Sequence, residues 1–342
     1  MNGEAKFPFA LATFSTAGAA PFGALVVGEH AVALRALTGG SGPLAVGLGG
    51  DSVERVLEDW ERNLPRLSEA AARIAVDAAE LMSTLVPRAG LRRHAPLLPR
   101  SLFCTGANYR RHVAGLIQGD SSMRSSSHAD EDPKRAAAEI EVELERRAKT
   151  GAPYCFVKLT SSVSGPDDTL ILPKNVEKPD WELELAVVIG RTARRVTAAD
   201  AMSHVAGYTM INDITARDHI FRRDGSAIGA DWLAGKCHPG FAPLGPWLVP
   251  AQFIADVYDL QIKLSVNGVV MQDERTSDML IGIARQIEHL SNIVTLMPGD
   301  VIATGSPAGN GAMHGIFLKA GDVMEGTITG LGQQTIRCIA ET

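Results

Sequence analysis

The chain has 342 residues, of which 45% are hydrophobic, enough for one large and one small domain with buried cores. Its 33 basic and 39 acidic residues leave a formal charge of −6, which argues against nucleic-acid binding as a main role. Four cysteines without a Cys-x-x-Cys pair argue against a zinc site or a disulfide framework and favour a reducing cytoplasm. No apolar stretch approaches the length of a membrane span.

Residues 1–95 are predicted to form a small N-terminal α/β domain. Apolar runs at 7–14 and 22–27, joined by a turn rich in Gly, Ala and Pro, favour two paired strands. Amphipathic helices are expected to follow around residues 53–60 and 70–85, and three prolines then predict a linker: Pro87, Pro96 and Pro99.

Residues 100–342 are predicted to form a larger, strand-rich domain with an insertion at about 115–150. The insertion contains a serine-rich stretch, Ser121–Ser127, and a run from Lys134 to Lys149 dense in Ala, Glu and Arg. A proline directly before that run favours a helix start. Such a run is commonly a solvated helix, and the functional alternative is a lid that closes over a substrate.

The most informative stretch begins with two acids, Glu182 and Glu184, at the start of a run that predicts a buried strand. Side chains two residues apart on a strand point to the same face. Two neighbouring carboxylates repel each other, so a buried pair needs a cation between them. Oxygen ligands suit Mg²⁺, Mn²⁺ or Ca²⁺ better than zinc. The alternative is an exposed strand end with two solvated acids.

A third acid, Asp213, follows the apolar run 207–212, at a predicted strand end where a ligand can be held rigidly. Together with Glu182 and Glu184 it makes an octahedral oxygen site plausible, with waters or substrate completing the shell. The alternative for Asp213 alone is a turn or a helix cap. Further along, apolar spacing predicts a helix over 278–292, and residues 321–336 predict a closing hairpin.

These acids belong to an ordered series of motifs over roughly residues 100 to 340. The series comprises Gly106-Ala107-Asn108-Tyr109-Arg110-Arg111-His112, Glu182-Leu183-Glu184, Asn212–Asp218, Gly235-Lys236, Pro243–Pro246, Val266-Asn267-Gly268, Pro298–Ile302 and Thr304–Gly309. In order and spacing it resembles the fumarylacetoacetate hydrolase superfamily, in the branch of metal-dependent acylpyruvate-type hydrolases, decarboxylases and isomerases. The resemblance implies an α+β fold with a mixed β-sheet roll as the catalytic domain, and homodimers.

The resemblance also implies roles for individual residues. It places the metal, Mg²⁺ or Mn²⁺ with Ca²⁺ as a further option, on Glu182, Glu184 and Asp213. It makes His112 the general base, because a histidine pKa near neutrality suits that role. It makes Lys236 the cation that neutralises the substrate carboxylate or enolate. The implied substrate contacts are Tyr109, Lys158, Arg217, Thr304 and Gly305; Arg217 has the alternative role of bracing an acid of the protein.

One departure from the family pattern concerns Gly115. Many relatives carry a glutamate three residues after the histidine, where it pairs with the histidine and orients a water. Three explanations stay open: a glutamate from residues 139–145 replaces it, the reaction needs no activated water, or the protein binds a ligand with little turnover.

The resulting functional prediction is a hydrolase that cleaves a C–C bond in a β-diketo or 2-oxo acid from aromatic-compound catabolism, through a metal-stabilised enolate. A decarboxylase or isomerase with the same metal-enolate chemistry is the first alternative, and a non-catalytic ligand-binding relative is the second. The expected partner is the small-molecule acid, with no nucleic acid or membrane.

Overall fold

The structure is a computed structural model that describes residues 7–39, 41–119, 133–221 and 229–342. Its strands are β1 (Ala10–Ser15), β2 (Phe22–Val27), β3 (His30–Ala33), β4 (Val86–Pro87), β5 (Arg92–His94), β6 (Leu102–Gly106), β7 (Tyr154–Lys158), β8 (Val163–Ser164), β9 (Leu170–Leu172), β10 (Pro179–Asp180), β11 (Leu183–Ile189), β12 (Val205–Asn212), β13 (Thr215–Ala216), β14 (Ala242–Pro243), β15 (Val249–Pro250), β16 (Gln261–Val266), β17 (Val269–Arg275), β18 (Val301–Ala303), β19 (Val323–Ile328) and β20 (Gly332–Ala340).

The α-helices of the described residues are mostly short. They are α1 (Arg35–Thr38), α2 (Val53–Leu57), α3 (Trp60–Asp77), α4 (Arg110–Gly119), α5 (Pro133–Thr150), α6 (Ala198–Ala201), α7 (Arg217–Ile220), α8 (Trp232–Lys236), α9 (Ile283–Ile293) and α10 (Gly311–His314). Among the residues described, no helix combines the length and apolar character needed to cross a membrane.

The N-terminal strands form an antiparallel sheet of order β4-β3-β2-β1-β5. The predicted pairing of the first two strands is confirmed, since Ala12 lies opposite Ala24 in the β1–β2 ladder. The predicted linker position of Pro87 is wrong, because this proline lies in the edge strand β4 opposite His30. An edge strand tolerates proline, since one side of it needs no backbone donor.

The central sheet is mixed, with the order β15-β12-β11-β18-β6-β7. Its strand β11 is buried along its whole length and lies between two hydrophobic cores. One core contains Leu183, Leu185, Val187 and Ile189 of this strand together with residues of the C-terminal sheet. The other contains Ala186 and Val188 together with apolar residues of α2, α3 and the N-terminal strands.

The C-terminal sheet is also mixed, with the order β17-β16-β19-β20-β9. The predicted closing hairpin is confirmed as the antiparallel pair β19–β20. The helix predicted from residue 278 begins later, at Ile283, because residues Thr276–Asp278 form a 3₁₀ turn and Gly282 caps α9 in an extended conformation. The mixed sheets with peripheral helices agree with the predicted α+β class; a separate N-terminal domain stays a prediction.

The insertion is described only in part, since the serine-rich stretch Ser121–Ser127 lies outside the described residues. The helix predicted over 134–149 is confirmed as α5. Leu144 of this helix is buried in a small cluster with Val113, Leu280 and Ile281, which ties α5 to α4.

Gly207 on β12 provides a test of the central sheet. A Cβ atom at this position would lie 2.2 Å from the carbonyl oxygen of Val249 on β15. We expect Gly207→Ala to lower the free energy of unfolding by about 1–3 kcal/mol, because the backbones must separate. Gly90→Ala is the matched control, since nothing lies within 4 Å of its Cβ position. Equal melting temperatures of the two variants would contradict this account.

Candidate active site

Three buried carboxylates converge at the point where β11 begins and β12 ends. Glu182, Glu184 and Asp213 each offer an oxygen within 4.8 Å of the others. The backbone holds them there, because the Asp213 amide donates to the Glu182 carbonyl at 2.8 Å. The Glu182 amide in turn donates to the Asn212 side chain at 2.9 Å. The strand alternation seen in the sequence therefore does bring the two glutamates to one place.

Three cationic side chains bind this cluster from different segments of the chain. Lys236 Nζ lies 2.6 Å from Glu182 Oε2 and 2.5 Å from Asp213 Oδ2. Lys158 Nζ donates to Asp213 Oδ1 at 2.6 Å. Arg217 donates to Glu182 through one nitrogen and to Asp180 Oδ2 at 2.7 Å through Nε. With Asp180 and Glu184 included, four carboxylates face three cations, so the formal sum is −1.

The neighbouring charges shift the pKa values of the two glutamates in opposite directions. Burial alone would raise the pKa of Glu182, but Arg217 and Lys236 outweigh it and hold that pKa well below its usual range. Burial and the neighbouring charges of Asp213 and Glu182 instead raise the pKa of Glu184 well above its usual range. Among the described residues, only the Gly305 amide donates a hydrogen bond to Glu184, at 2.8 Å. Glu184 is thus the carboxylate that lacks a cation.

This donor set fits a hard divalent cation. All three converging groups are carboxylates, and no histidine or cysteine of the described residues joins them. Buried carboxylates that repel one another, with one of them uncompensated, are stabilised when a divalent cation binds between them. Gly305 supports the arrangement, because its φ of +107° favours glycine and a Cβ there would lie 2.8 Å from Asn108 Cβ.

His112 lies on α4 beside this cluster. It is 5% exposed, and its Nδ1 has no hydrogen-bond partner among the described residues. Burial lowers the pKa of His112 to about 4, with Arg217 and Lys236 adding to the effect and Glu182 opposing it. The ring is therefore neutral near physiological pH, which is the form that can accept a proton.

Among the described residues, the glutamates at 141, 143 and 145 do not take the place left by Gly115. A Cβ atom at Gly115 would lie 2.5 Å from Met313 Cε, so a glutamate would require Met313 to move. On α5, Glu141 and Glu145 pair with Arg110. Glu143 of the same helix pairs with Arg146 at 2.7 Å. These three glutamates are therefore engaged by arginines rather than by His112.

The other residues predicted to contact substrate are buried near the same strands, but several are used by the protein itself. The Thr304 hydroxyl donates to the Leu185 carbonyl at 2.9 Å. Asn108 Nδ2 donates to the carbonyls of Ile281 and Thr304, at 3.0 and 2.8 Å, so it fastens the loop of Gly305. Tyr109 is fully buried, and burial raises the pKa of its hydroxyl.

Two polar residues of the site were not identified from the sequence. Asp180 accepts hydrogen bonds from the amides of Gly311 and Ala312, at 2.5 and 3.0 Å, as well as from Arg217. Its position two residues before Glu182 was an available signal, because strand alternation puts both on one face. Asn310 donates to Glu182 Oε1 at 3.3 Å. No local pattern in the sequence predicts this contact.

Mixed sheets thus surround a buried cluster of three carboxylates that offers oxygen ligands to a divalent cation. Residues 101–338 match the family model of the fumarylacetoacetate (FAA) hydrolase C-terminal domain. The chain belongs to the fumarylacetoacetate hydrolase family, in agreement with the sequence motifs. Its relatives are enzymes that include hydrolases, isomerases and tautomerases.

Three relatives illustrate this range. The chain is 45% identical over 185 residues to a 2,4-didehydro-3-deoxy-L-rhamnonate hydrolase of Sphingomonas sp. (strain SKA58), covering 53% of this chain and 63% of that protein. It is 34% identical over 299 residues to a mitochondrial oxaloacetate tautomerase of Rattus norvegicus, covering 84% of each. A crystal structure of 2-hydroxyhepta-2,4-diene-1,7-dioate isomerase from Mycobacterium marinum superposes with a TM-score of 0.63 at 26% identity, covering 97% and 99%.

Glu184 can be tested by removing its charge. We expect Glu184→Gln to raise the melting temperature of the metal-free protein, because the amide ends the repulsion with Asp213 and Glu182. The same variant should lose the rise in melting temperature that added MnCl₂ gives the native chain. The control is Glu325→Gln, at an exposed position on β19. A native-like response of E184Q to MnCl₂ would refute a role for Glu184 in metal binding.

His112 predicts a pH dependence of stability. Its folded pKa of about 4 lies below the ordinary 6.5, so the unfolded chain binds the proton more readily. The contribution of neutral His112 is present above pH 6.5 and is lost as the pH falls towards 4. Between pH 6.5 and 4, chemical denaturation should show a loss in the free energy of unfolding that is on the order of 2 kcal/mol smaller for His112→Gln than for the native chain. Parallel plots of this free energy against pH for the two proteins would contradict the prediction.

Proposed function

We propose that this chain is a divalent-metal-dependent enzyme that enolises a small 2-oxo acid. The observation that carries the proposal is the buried cluster of Glu182, Glu184 and Asp213 beside His112, a neutral histidine without a hydrogen-bonded carboxylate among the described residues. Glu182, Glu184 and Asp213 would hold the cation, Mg²⁺ or Mn²⁺. When bound, it would supply Lewis-acid stabilisation of the negative charge that develops on the substrate oxygen.

The residues of the chain divide the remaining work. His112 accepts a proton from the carbon next to the keto group, and the electron pair of that C–H bond becomes part of the new C=C bond. The keto oxygen then takes up negative charge and accepts a proton from solvent to give the enol, and His112 releases its proton to solvent. Lys236 and Arg217 contribute positive charge at Glu182, which keeps this carboxylate ionised for the cation.

Tautomerase or isomerase chemistry is the outcome that the geometry favours. Proton transfer at carbon needs a base and a stabilised enolate, but no water oriented for attack. The glutamates described at 141, 143 and 145 are paired with arginines, and Gly115 has no side chain, so none of these positions orients a water on His112. Similarity to an oxaloacetate tautomerase over 84% of both chains supports this choice.

Hydrolysis of a C–C bond in a β-diketo or 2-oxo acid, the outcome first predicted from the motifs, is the second candidate. It is favoured by the 45% identity over 185 residues to a hydrolase of a 2,4-didehydro-3-deoxy sugar acid. In that reaction a water would be activated by His112 alone. A role in aromatic-compound breakdown, a cytoplasmic location and a homodimeric assembly are part of the same proposal.

The enolisation step can be observed before the natural substrate is known. In D₂O with added MnCl₂, we expect the protein to exchange the C3 hydrogens of a 2-oxo acid for deuterium, followed by ¹H NMR. Glu182→Ala and Asp213→Ala should each abolish both the metal-dependent exchange and Mn²⁺ binding. His112→Gln should abolish the exchange and leave Mn²⁺ binding intact. Glu325→Ala is the control. Full-rate exchange by E182A or D213A would rule out the proposed site.

The two outcomes after enolisation differ in the fate of solvent oxygen. With an acylpyruvate in H₂¹⁸O, a hydrolase must place label in the carboxylic acid product, which mass spectrometry detects. A tautomerase instead interconverts keto and enol oxaloacetate, followed by ultraviolet absorbance, and cleaves no C–C bond. Cleavage with incorporated label would decide for the hydrolase; enol–keto conversion of oxaloacetate without cleavage would decide for the tautomerase.

A further inference from the structure

Asn310 has a buried side-chain oxygen that no described residue of the chain uses. The residue is 1% exposed, and its Oδ1 has no hydrogen-bond partner among the residues described. Leaving a buried acceptor unpaired disfavours the folded state. Such an acceptor, held at a charged site, is suited to receive a hydrogen bond from a bound ligand.

The orientation of the amide follows from Glu182. Asn310 lies 3.3 Å from Glu182 Oε1, and an ionised carboxylate only accepts hydrogen bonds. Lys236 and Arg217 also donate to this carboxylate, so its oxygens are acceptors and the Nδ2 group of Asn310 is the donor. The Oδ1 atom is bonded to the same carbon and therefore lies beside the same carboxylate, within the candidate active site.

Helix capping does not explain Asn310. The residue is the N-cap of α10, where asparagine usually accepts a hydrogen bond from the first turn of the helix. Its side chain makes no such bond. Asp180 instead accepts from the Gly311 and Ala312 amides. Asp180 thus fills the capping function, and the Asn310 oxygen accepts no hydrogen bond from the part of the chain that the structure describes.

The loop on both sides of Asn310 is fixed in place. On one side, Trp181 Nε1 donates to the Gly309 carbonyl at 3.0 Å. On the other side, a Cβ at Gly311 would lie 2.1 Å from the Ile316 carbonyl oxygen, so the backbone is closely packed. A polar group held rigidly on both sides is preorganised for a ligand.

The chemistry of the site indicates which ligand group is missing. Lys158, Lys236 and Arg217 provide donors and positive charge, which match the carboxylate and carbonyl oxygens of a 2-oxo acid. An acid built only of carboxylates and carbonyls has no donor to offer Asn310 Oδ1. A hydroxyl group does, and a neutral hydroxyl can be buried there once it is paired.

We propose that Asn310 is a substrate-binding residue that selects a hydroxylated 2-oxo acid, of the kind derived from a deoxy sugar acid, by accepting a hydrogen bond from its hydroxyl group. This inference rests on the proposed enolisation and deepens it. Asn310 would bind the hydroxyl-bearing part of the substrate, at a distance from the reacting carbon. His112 would accept the proton from the reacting carbon.

The test compares C3 hydrogen exchange in D₂O, with added MnCl₂, for three probes: 2-oxopentanoate, 4-hydroxy-2-oxopentanoate and 5-hydroxy-2-oxopentanoate. We expect kcat/KM for at least one hydroxylated probe to exceed that for 2-oxopentanoate by about tenfold, the effect of pairing one buried acceptor. Asn310→Leu should remove this preference by lowering kcat/KM for the hydroxylated probe alone. Asn310→Ala serves as a second variant, with Mn²⁺ binding and circular dichroism confirming an intact site.

The outcomes separate the two proposals. Exchange of all probes at equal kcat/KM by the native chain would overturn the role of Asn310, leave the enolisation standing and indicate a structural water on Oδ1. A preference that survives in both Asn310 variants would assign the selection to another residue. Exchange of none of the probes would overturn the enolisation itself, and the inference with it.

Discussion

Repulsion between three buried carboxylates is the constraint on which this structure depends. Glu182, Glu184 and Asp213 lie within 4.8 Å of one another in the interior, where charges interact more strongly than in water. Lys236 and Lys158 bind Asp213, and Arg217 binds Glu182, whereas among the described residues Glu184 accepts a hydrogen bond from a backbone amide alone. A divalent cation between these carboxylates would relieve their repulsion, which couples the proposed metal binding to stability through Glu184.

The sheets explain how such a cluster is held. Strand β11 lies between two hydrophobic cores, one shared with the C-terminal sheet and the other with helices α2 and α3 of the N-terminal region. Those two helices contribute none of the site residues named above. They cover one face of β11, the strand that contains Glu184. The N-terminal region thus contributes rigidity and exclusion of water, which preorganised electrostatics requires.

Two short helices then determine what the charged cluster can do. Helix α4 carries His112 and packs through Gly115 against Met313 of α10, while Asn310 begins α10 and contacts Glu182. Asp180 connects them to the cluster, because it caps α10 and also holds Arg217. In the proposed function the three carboxylates hold the cation for an enolisation common to several reactions, whereas these helices would govern water access and substrate choice.

The sequence by itself determined the features that depend on local spacing: the shared face of Glu182 and Glu184, the helix α5, the hairpin β19–β20 and, through the ordered motifs, the family. Only the tertiary structure decided which cation binds which acid, that Pro87 lies in an edge strand, and that the Asn310 oxygen has no partner among the described residues. The reason is physical, because periodicity reports the face on which a side chain lies but not its partner. Lys158 and Asp213 are 55 residues apart, and Asn310 and Glu182 are 128 apart, so their contacts exist only once the sheets have packed.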